Sequence, residues 1–375
     1  MTTQSNAGRY RIGEHVVELR APRLSDGRSW RRTNLEHEKR LRPAFGSPDT
    51  DWDAAHSPAS WAESWWTATH DPDVRIARVL TVEDGAEDRV VGYQVWAGRD
   101  PRTGHAEAST WIAGLPRSAE VAVFVTAACL LDAFTAHPDL PFIVGPMAVH
   151  NRPAIALAES VGFTYLQTLR GLREYDGRPT DHVIHVHRNV AAARAELAAV
   201  IASIGAEPLP PRPAGRPSPG AALGVARYGV RRLRARARAA RATPTADAAF
   251  AATSAVEGHD IGFLPTRAGE HTATVDGRPI GAISTHVDGG TSTTEIIDRL
   301  NRDAERDGAT AAVVAACRVA AEDQRTRRLT IALADRHAGA TADLAALGFV
   351  SEGTTLPTLG DESTPRESWT RFLEW

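Results

Sequence analysis

An internal repeat constrains the fold of this 375-residue chain more than any other feature of its sequence. The first copy combines a strand, a helix, a buried strand and a short helix ending in Gly-Phe, at 105–114, 117–134, 141–149 and 151–163. The same order returns at 291–349, and a hairpin with a glycine turn precedes each copy, at 82–98 and at 271–287. Repeated units of this size predict two domains with a common arrangement of strands and helices.

Composition divides the chain further. The first 190 residues are mixed and aromatic, and the first 111 contain seven of the nine tryptophans. An alanine-rich helix at 191–204 precedes a stretch at 207–219 in which repeated prolines exclude helix and favour extended backbone. We therefore expect a first domain, an Ala/Pro/Arg-rich connector with a basic helix, and a shorter second domain, at 1–190, 191–246 and 247–375.

The overall charge and the cysteines limit the class of protein. A formal net charge of −3 gives no global reason to expect nucleic-acid or membrane binding. Two cysteines, Cys129 and Cys317, exclude a disulfide framework and indicate a reducing compartment. The polar N-terminus has no signal-peptide core, and we expect no apolar run as long as a membrane span. These features predict a cytoplasmic protein.

Several segments carry a family resemblance. In the first half they are VVELRAPRLSDGRSWRRTN, VVGYQVWAG, HNRPAIALAESVGF and LREYDGRPTDHVIHVH, and in the second half ALADRHAGATADLAALGFVSEG. This order resembles the GNAT (Gcn5-related N-acetyltransferase) superfamily, with 10–190 similar to its Rim type, which acetylates the N-termini of ribosomal proteins. The resemblance implies an α/β (α+β) protein of two tandem GNAT-fold domains, each a mixed, mostly antiparallel sheet flanked by helices, with a truncated second domain.

The resemblance also implies acetyl-CoA as co-substrate. In GNAT proteins the CoA pyrophosphate binds a Q/R-x-x-G-x-G/A turn at the start of the central helix, where amides and the helix dipole hold an anion. In the first copy Arg117 and Ala122 match that turn and Glu120 takes the glycine position, which would place a carboxylate among the phosphates. Asn151 matches a residue that contacts CoA, or is simply an N-cap. The matching residues of the second copy are Arg306, Gly308, Ala309 and Thr310; an ordinary charged helix start is the alternative.

Acetyl transfer needs a free amine and often a carboxylate that accepts its proton. Glu107 and Glu295 each stand thirteen positions before the glycine position of their turn, a common place for the general base in this family. The alternative is a solvent-facing carboxylate at a strand edge. The hydroxyl that often reprotonates the CoA thiolate is missing at Ala154 and Ala158, and Ser160 is expected on another face of its helix.

In this family two helices form the acceptor wall. The first copy offers helices at 24–41 and 58–70, and Trp65 and Trp66 are too close in sequence to face the same core. The second copy has only about 25 residues before its hairpin, too few for two helices. It is expected to lack an acceptor wall.

A histidine-rich strand and an arginine-rich segment are two further features of the sequence. His182, His185 and His187 alternate along one strand, but no cysteine or acid stands at ligand spacing, so a structural or cleft role is expected rather than a metal site. Seven arginines lie between 227 and 241, and no acid occurs from 208 to 246. This basic segment fits an acidic partner, RNA or anionic lipid, or packs as a solvated connector against the protein itself.

The sequence predicts an acyltransferase that transfers groups other than amino-acyl groups, an acetyl-CoA-dependent N-acetyltransferase. Its acceptor would be a primary amine, either a protein N-terminus or a small amine. The alternative is a catalytically silent tandem GNAT-fold protein that serves as a binding or regulatory module. Glu120, the missing hydroxyls and the truncated second copy motivate this alternative.

Overall fold

The structure is a computed structural model with two compact units. It describes residues 6–46, 50–84, 87–211, 228–230, 254–256, 258–267, 269–288, 293–322, 327–359 and 366–373. The first unit contains residues 1–100, 104–166 and 174–240, and the second contains 101–103, 167–173 and 241–375. Each unit has its own sheet and its own apolar core.

A mixed sheet in the order β7-β8-β6-β5-β4-β3-β2-β1-β9 belongs to the first half of the chain. Its strands are β1 (Gly8–Ile12), β2 (His15–Arg20), β3 (Val74–Asp84), β4 (Glu87–Ala97), β5 (Ala106–Ile112), β6 (Phe142–Ala148), β7 (Thr164–Tyr175), β8 (Arg178–Arg188) and β9 (Glu207–Leu209). Among the pairs with a described register only β5 and β6 run parallel. The expected mixed, mostly antiparallel sheet is confirmed.

Helices cover both faces of this sheet. They are α1 (Gly27–Glu36), α2 (Glu38–Phe45), α3 (Trp52–Ala55), α4 (Pro58–His70), α5 (Ala119–Ala136), α6 (Arg152–Ser160) and α7 (Ala191–Ser203), after a 3-10 turn at Leu24–Asp26. On one face α5 supplies the core through Val121, Phe124 and Leu130. On the other face Trp30, Trp61 and Val79 form a second cluster.

The second unit has a mixed sheet in the order β10-β11-β12-β13-β14-β15-β17-β16. The strands are β10 (Ser254–Val256), β11 (His259–Arg267), β12 (Glu270–Val275), β13 (Arg278–Asp288), β14 (Thr293–Leu300), β15 (Arg328–Ala334), β16 (Val350–Thr355) and β17 (Arg366–Phe372). Its helices are α8 (Arg306–Ala320) and α9 (Thr341–Ala346), with a 3-10 stretch at Asp335–Ala340. Within the described part of 254–275 the backbone forms strands and no helix, so helices α1 to α4 of the first unit have no counterpart there.

Both units contain the strand–helix–strand segment of the repeat that the sequence predicts. Each contains a parallel strand pair connected by one long buried helix, α5 between β5 and β6 and α8 between β14 and β15. The hairpin at 271–287 turns at Asp276-Gly277, where both residues have positive φ, +50° and +77°. Asp-Gly is the sequence that a two-residue turn of this type favours.

Two sequence-based expectations need correction. The helix expected at 24–41 is interrupted at His37, and α1 and α2 are separate. Among the residues that the structure describes, one helix, α5, has the length and apolar composition of a membrane span, although none was expected. Since 61% of that helix is buried inside the protein, where it forms the core of the first unit, it is weak evidence for a span.

The connector is described only in part. Residues 191–211 form α7 and β9, and β9 pairs with β1 at the edge of the first sheet. Tyr228 packs edge-on against Trp66, with ring centroids 6.2 Å apart. Of the arginine-rich segment 227–241, only residues 228–230 are among the described residues. The acidic partner that the sequence suggests for this segment stays a prediction.

Candidate functional site

A cavity of about 690 Å³ opens in the first unit at the point where β5 and β6 separate. The two strands pair only through Ala106 with Ile143 and Glu107 with Val144. Beyond these pairs β6 continues along β8 as far as Ala148. The end of β5, residues 110–112, therefore faces an open gap and lines the cavity.

The start of α5 forms one wall of this cavity. Ser118, Ala119 and Ala122 line it, and Ser118 is the N-cap without a side-chain cap hydrogen bond. The first amides of a helix have no partner within the helix, and the helix dipole adds partial positive charge there. This wall can therefore accept an anion such as a phosphate group.

Glu120 does not lie in the cavity, contrary to the sequence-based expectation. Its carboxylate faces the turn between β1 and β2, where a Cβ on Gly13 would lie 3.7 Å from Glu120 Oε2. Successive residues of a helix point about 100° apart, so the face with Ser118, Ala119 and Ala122 excludes Glu120. Arg117 is also turned outward, with its side chain 84% exposed and 3.5 Å from Glu14.

One face of α6 forms a further wall. Pro153, Ala156, Leu157 and Ser160 line the cavity at the spacing of a single helix face, together with Ala154 and the N-cap residue Asn151. Ser160 does lie on a different face of α6 from Ala158, as expected, but that face is the one that lines the cavity. Its hydroxyl donates a hydrogen bond to the carbonyl of Leu157 at 2.7 Å.

The opposite wall comes from α2 and from the tip of the β7–β8 hairpin. Arg40, Leu41, Ala44 and Phe45 line it from α2, and Tyr175 from the hairpin. The amide of Asp176 donates to the carbonyl of Pro43 at 2.9 Å, which ties the hairpin tip to α2. The rings of Tyr175 and His150 meet edge to face, with centroids 4.4 Å apart.

Several polar side chains on these walls lack a hydrogen-bond partner among the described residues. Arg40, His150, Asn151 and Tyr175 have no side-chain hydrogen bond or ion pair with any residue that the structure describes. Polar side chains that line a cavity without partners are available to a ligand.

Residues 19–184 match the family model described as "Acetyltransferase (GNAT) domain". The first half of the chain contains a GNAT domain. Its solved neighbours include RimJ of Mycobacterium smegmatis in complex with CoA-disulfide, 24% identical, covering 54% of this chain and 96% of that chain, with a TM-score of 0.46. Ribosomal-protein-S5-alanine acetyltransferase of Vibrio fischeri is 15% identical. The match covers 48% of this chain and 97% of that chain, with a TM-score of 0.41. YncA of Salmonella typhimurium, solved with acetyl-CoA, is 16% identical, with coverages of 47% and 95% and a TM-score of 0.35. A search of curated proteins found no match.

Glu107 of the GNAT domain lies on β5 before the strands separate. It shares a strand face with Trp111, four residues further on, because side chains alternate between the two faces. Four residues of strand span about 13 Å, and Glu107 does not line the cavity. Its role as a general base stays a prediction.

The predicted turn of the second unit is enclosed by its own strands. A Cβ on Gly308 would lie 3.0 Å from Val275 Cγ1, so β12 covers the glycine, and Ala309 is 2% exposed. The Thr310 hydroxyl donates to the carbonyl of Arg306 at 2.8 Å. The Nε of Arg306 donates to the carbonyl of Arg336 at 2.8 Å.

Glu295 is engaged by a neighbouring cation. The Nε of Arg102, which belongs to the second unit, donates to Glu295 Oε1 at 2.6 Å. Such a charge-assisted hydrogen bond holds the carboxylate in place.

The histidines of β8 are core residues. His187 packs against Phe134 and Phe163, with ring centroids 5.5 and 5.4 Å apart, and burial lowers its pKa. His185 packs against Tyr165, and burial lowers its pKa as well, although Glu159 lies 3.7 Å away. Within the described ranges, no group of three or more His, Cys, Asp or Glu side chains is placed to hold a metal ion.

Proposed function

We propose that this protein is an N-acetyltransferase that moves the acetyl group of acetyl-CoA to a primary amine, either a protein N-terminus or a small amine. The cavity between β5, β6 and the start of α5 carries the proposal. It lies within the residues that match the GNAT acetyltransferase model. Among the solved neighbours, RimJ of Mycobacterium smegmatis holds CoA-disulfide and YncA of Salmonella typhimurium holds acetyl-CoA.

The walls of the cavity fit the chemical parts of acetyl-CoA. The amides at Ser118 and Ala119 and the positive end of α5 suit the diphosphate. The open edge of β5 at 110–112 offers backbone groups to the amides of the pantetheine arm. Ala122 is small enough to leave room beside the helix, and the unengaged Asn151 can bind a polar group.

The proposed reaction forms a C–N bond and breaks a C–S bond. The neutral amine attacks the thioester carbonyl, the nitrogen loses a proton, and the departing thiolate of CoA takes one up. Glu107 is proposed to accept the amine proton through water, given its distance from the cavity. Tyr175 is proposed to protonate the thiolate, since its side chain lines the cavity where the helix α6 carries alanine and leucine.

CoA release in the presence of a panel of amines and peptide N-termini tests this proposal. We expect Glu107→Gln to lower kcat by roughly a hundredfold or more and Tyr175→Phe to lower it less, since positioned acid–base groups contribute on that scale. Both variants should still bind acetyl-CoA in calorimetric titration. A folded wild-type protein that binds no acetyl-CoA and transfers no acetyl group would refute the proposal.

The second unit has a different proposed role. The covered Gly308 and the ion-paired Glu295 favour a unit without transferase activity of its own. We propose that it serves as a binding or regulatory module, the function that the sequence offered as an alternative for the whole chain. Acetyl-CoA titration to a stoichiometry of two would contradict this assignment.

A further inference from the structure

The α2 wall of the cavity has a distinctive charge. The described residues that line the cavity include Arg40, which is a cation, and His150, which becomes one when it is protonated. None of these described lining residues is Asp or Glu. A site for a polycation such as a polyamine needs carboxylates to replace the water around each ammonium group. A cavity with a cation and no acid favours a ligand of the opposite charge.

Arg40 lies on the side of the sheet opposite to the proposed CoA site. The neighbouring β5 residues Trp111 and Ile112 point to opposite faces, because side chains alternate along a strand. Ile112 packs with the core around α5, whereas Trp111 packs in the cluster that contains Leu41 of α2. The cavity therefore passes between the strands, with the helix N-terminus at one end and Arg40 at the other.

The guanidinium of Arg40 has no hydrogen-bond or ion-pair partner in the part of the chain that the structure describes. Its neighbour Arg42 is bound by Glu38, with 2.9 Å between Arg42 Nε and Glu38 Oε1, and Arg31 pairs with Asp53 at 2.6 Å. Arg40 has no such partner among the described residues, yet its side chain lines the cavity. A planar guanidinium binds carboxylate or phosphate through two parallel hydrogen bonds.

Apolar side chains surround this cation. Leu41 and Ala44 lie on the same helix, and Phe45 is 45% exposed although it is a large apolar residue. Arg40 is exposed in the free protein, but a ligand in the cavity would displace water from these apolar neighbours and so strengthen the attraction between Arg40 and the bound anion. It can also contact the carbon skeleton that connects the anion to an amine.

We propose that the acceptor is an amine that also carries an anionic group, a carboxylate or a phosphate, and that Arg40 binds this group. The inference rests on the proposed N-acetyltransferase function. Binding the anion at the α2 end leaves the amine free to reach the middle of the cavity, where the strands separate. Arg40 is thus a specificity-determining residue for acceptors and is not part of the acetyl-CoA site.

Pairs of acceptors with and without an anionic group test the inference. We would compare kcat/KM for alanine with alaninamide and for phosphoethanolamine with ethanolamine, with spermidine as the polycation. The first pair tests a carboxylate, and the second tests a phosphate. We expect the anionic member of at least one pair to be preferred by roughly ten- to hundredfold, the scale of a hydrogen bond to a charged group.

Substitutions in α2 test whether Arg40 causes the preference for anionic acceptors. Arg40→Gln should abolish the preference by raising the KM for the anionic amine, and Arg40→Glu should shift it toward spermidine. Lys39→Gln is the matched control, since it removes the same charge from the adjacent, exposed position and Lys39 does not line the cavity. The affinity for acetyl-CoA should stay the same in all three variants.

Failure of the inference about Arg40 can be distinguished from failure of the proposed N-acetyltransferase function. A preference for the neutral or polycationic amines, an unchanged preference in Arg40→Gln, or no transfer to any anionic amine while acetyl-CoA still binds would overturn this inference alone. Loss of acetyl-CoA affinity in Arg40→Gln but not in Lys39→Gln would overturn it too, because it would place Arg40 on the coenzyme. Absence of both acetyl-CoA binding and transfer would refute the proposed function as well.

Discussion

Glu120 is the second residue of α5, and its carboxylate faces the turn at Gly13 rather than the cavity. We therefore expect Glu120→Gln to change the dissociation constant of acetyl-CoA by less than about threefold, since a charge that faces solvent is largely screened. Calorimetric titration of the variant and the wild type measures this ratio. A gain in affinity of more than tenfold would show that the carboxylate does reach the phosphates.

His187 predicts a pH dependence of stability. Burial lowers its pKa in the folded chain, whereas the unfolded value is about 6.5. As the pH falls below about 6.5 the unfolded state takes up a proton that the folded state does not, so the free energy of unfolding decreases. In His187→Gln this decrease between pH 7 and pH 5.5 should be smaller than in the wild type.

Tryptophan fluorescence can follow that transition, because seven of the nine tryptophans precede residue 112 and report on the first unit. His70→Gln is the control, since this ring lies at the surface. An unchanged pH slope in His187→Gln would show that His187 titrates in the folded protein as it does in the unfolded one.

The cavity residues that the sequence predicts lie in local motifs, whereas those that it misses lie far apart in sequence. Ala122 and Asn151 stand in local motifs, and both line the cavity. Arg40 and Tyr175 line the same cavity from segments more than 130 positions apart, so no local pattern connects them. The direction of Glu120 depends on how α5 is rotated about its axis against the sheet, which the motif alone does not determine.

At the level of elements, the break between α1 and α2 has a tertiary cause. In a continuous helix the carbonyl of Asn34 would accept a hydrogen bond from the amide four residues later. It accepts one from the indole of Trp52 instead, at 3.0 Å. A contact between residues 18 positions apart cannot be read from helix periodicity, which explains why one helix was expected over 24–41. The hairpins and the strand–helix–strand repeat were predictable because their signals are local.

Two glycines, one in β13 and one in the turn before it, should differ in how much an alanine substitution lowers the free energy of unfolding. At Gly281, with φ of +133°, an added Cβ would lie 2.6 Å from the Cα of Leu300 on β14. Gly281→Ala should therefore lower the free energy of unfolding of the second unit by about 3 kcal/mol or more. Gly277→Ala should cost only about 1 kcal/mol, because φ is +77° but open space surrounds the position.

Hydrogen exchange of β13 and β14 at increasing denaturant concentration measures both changes within the full chain. The two alanine variants serve as controls for each other, because they make the same chemical change four residues apart. Equal effects would mean that the close approach of β13 to β14 does not constrain residue 281.

At the scale of the whole molecule, the two copies of the repeat differ at the start of their long helices. The first copy leaves a cavity of about 690 Å³ beside its long helix, and the second covers the matching glycine with Val275. The sequence predicts the repeat but not this difference, because it depends on how closely β12 packs on the start of α8. We expect one acetyl-CoA molecule to bind per chain.

Calorimetric titration of the full chain with acetyl-CoA tests the central claim, that the cavity at the start of α5 is the coenzyme site. The wild type should bind one molecule per chain. Ala122→Glu should lose this binding, since a misplaced carboxylate at contact distance costs on the order of 4 kcal/mol. Ala136→Glu, the same substitution at the exposed far end of α5, should bind as the wild type does. Binding that survives Ala122→Glu in a folded protein, or no binding by the wild type, would contradict the claim.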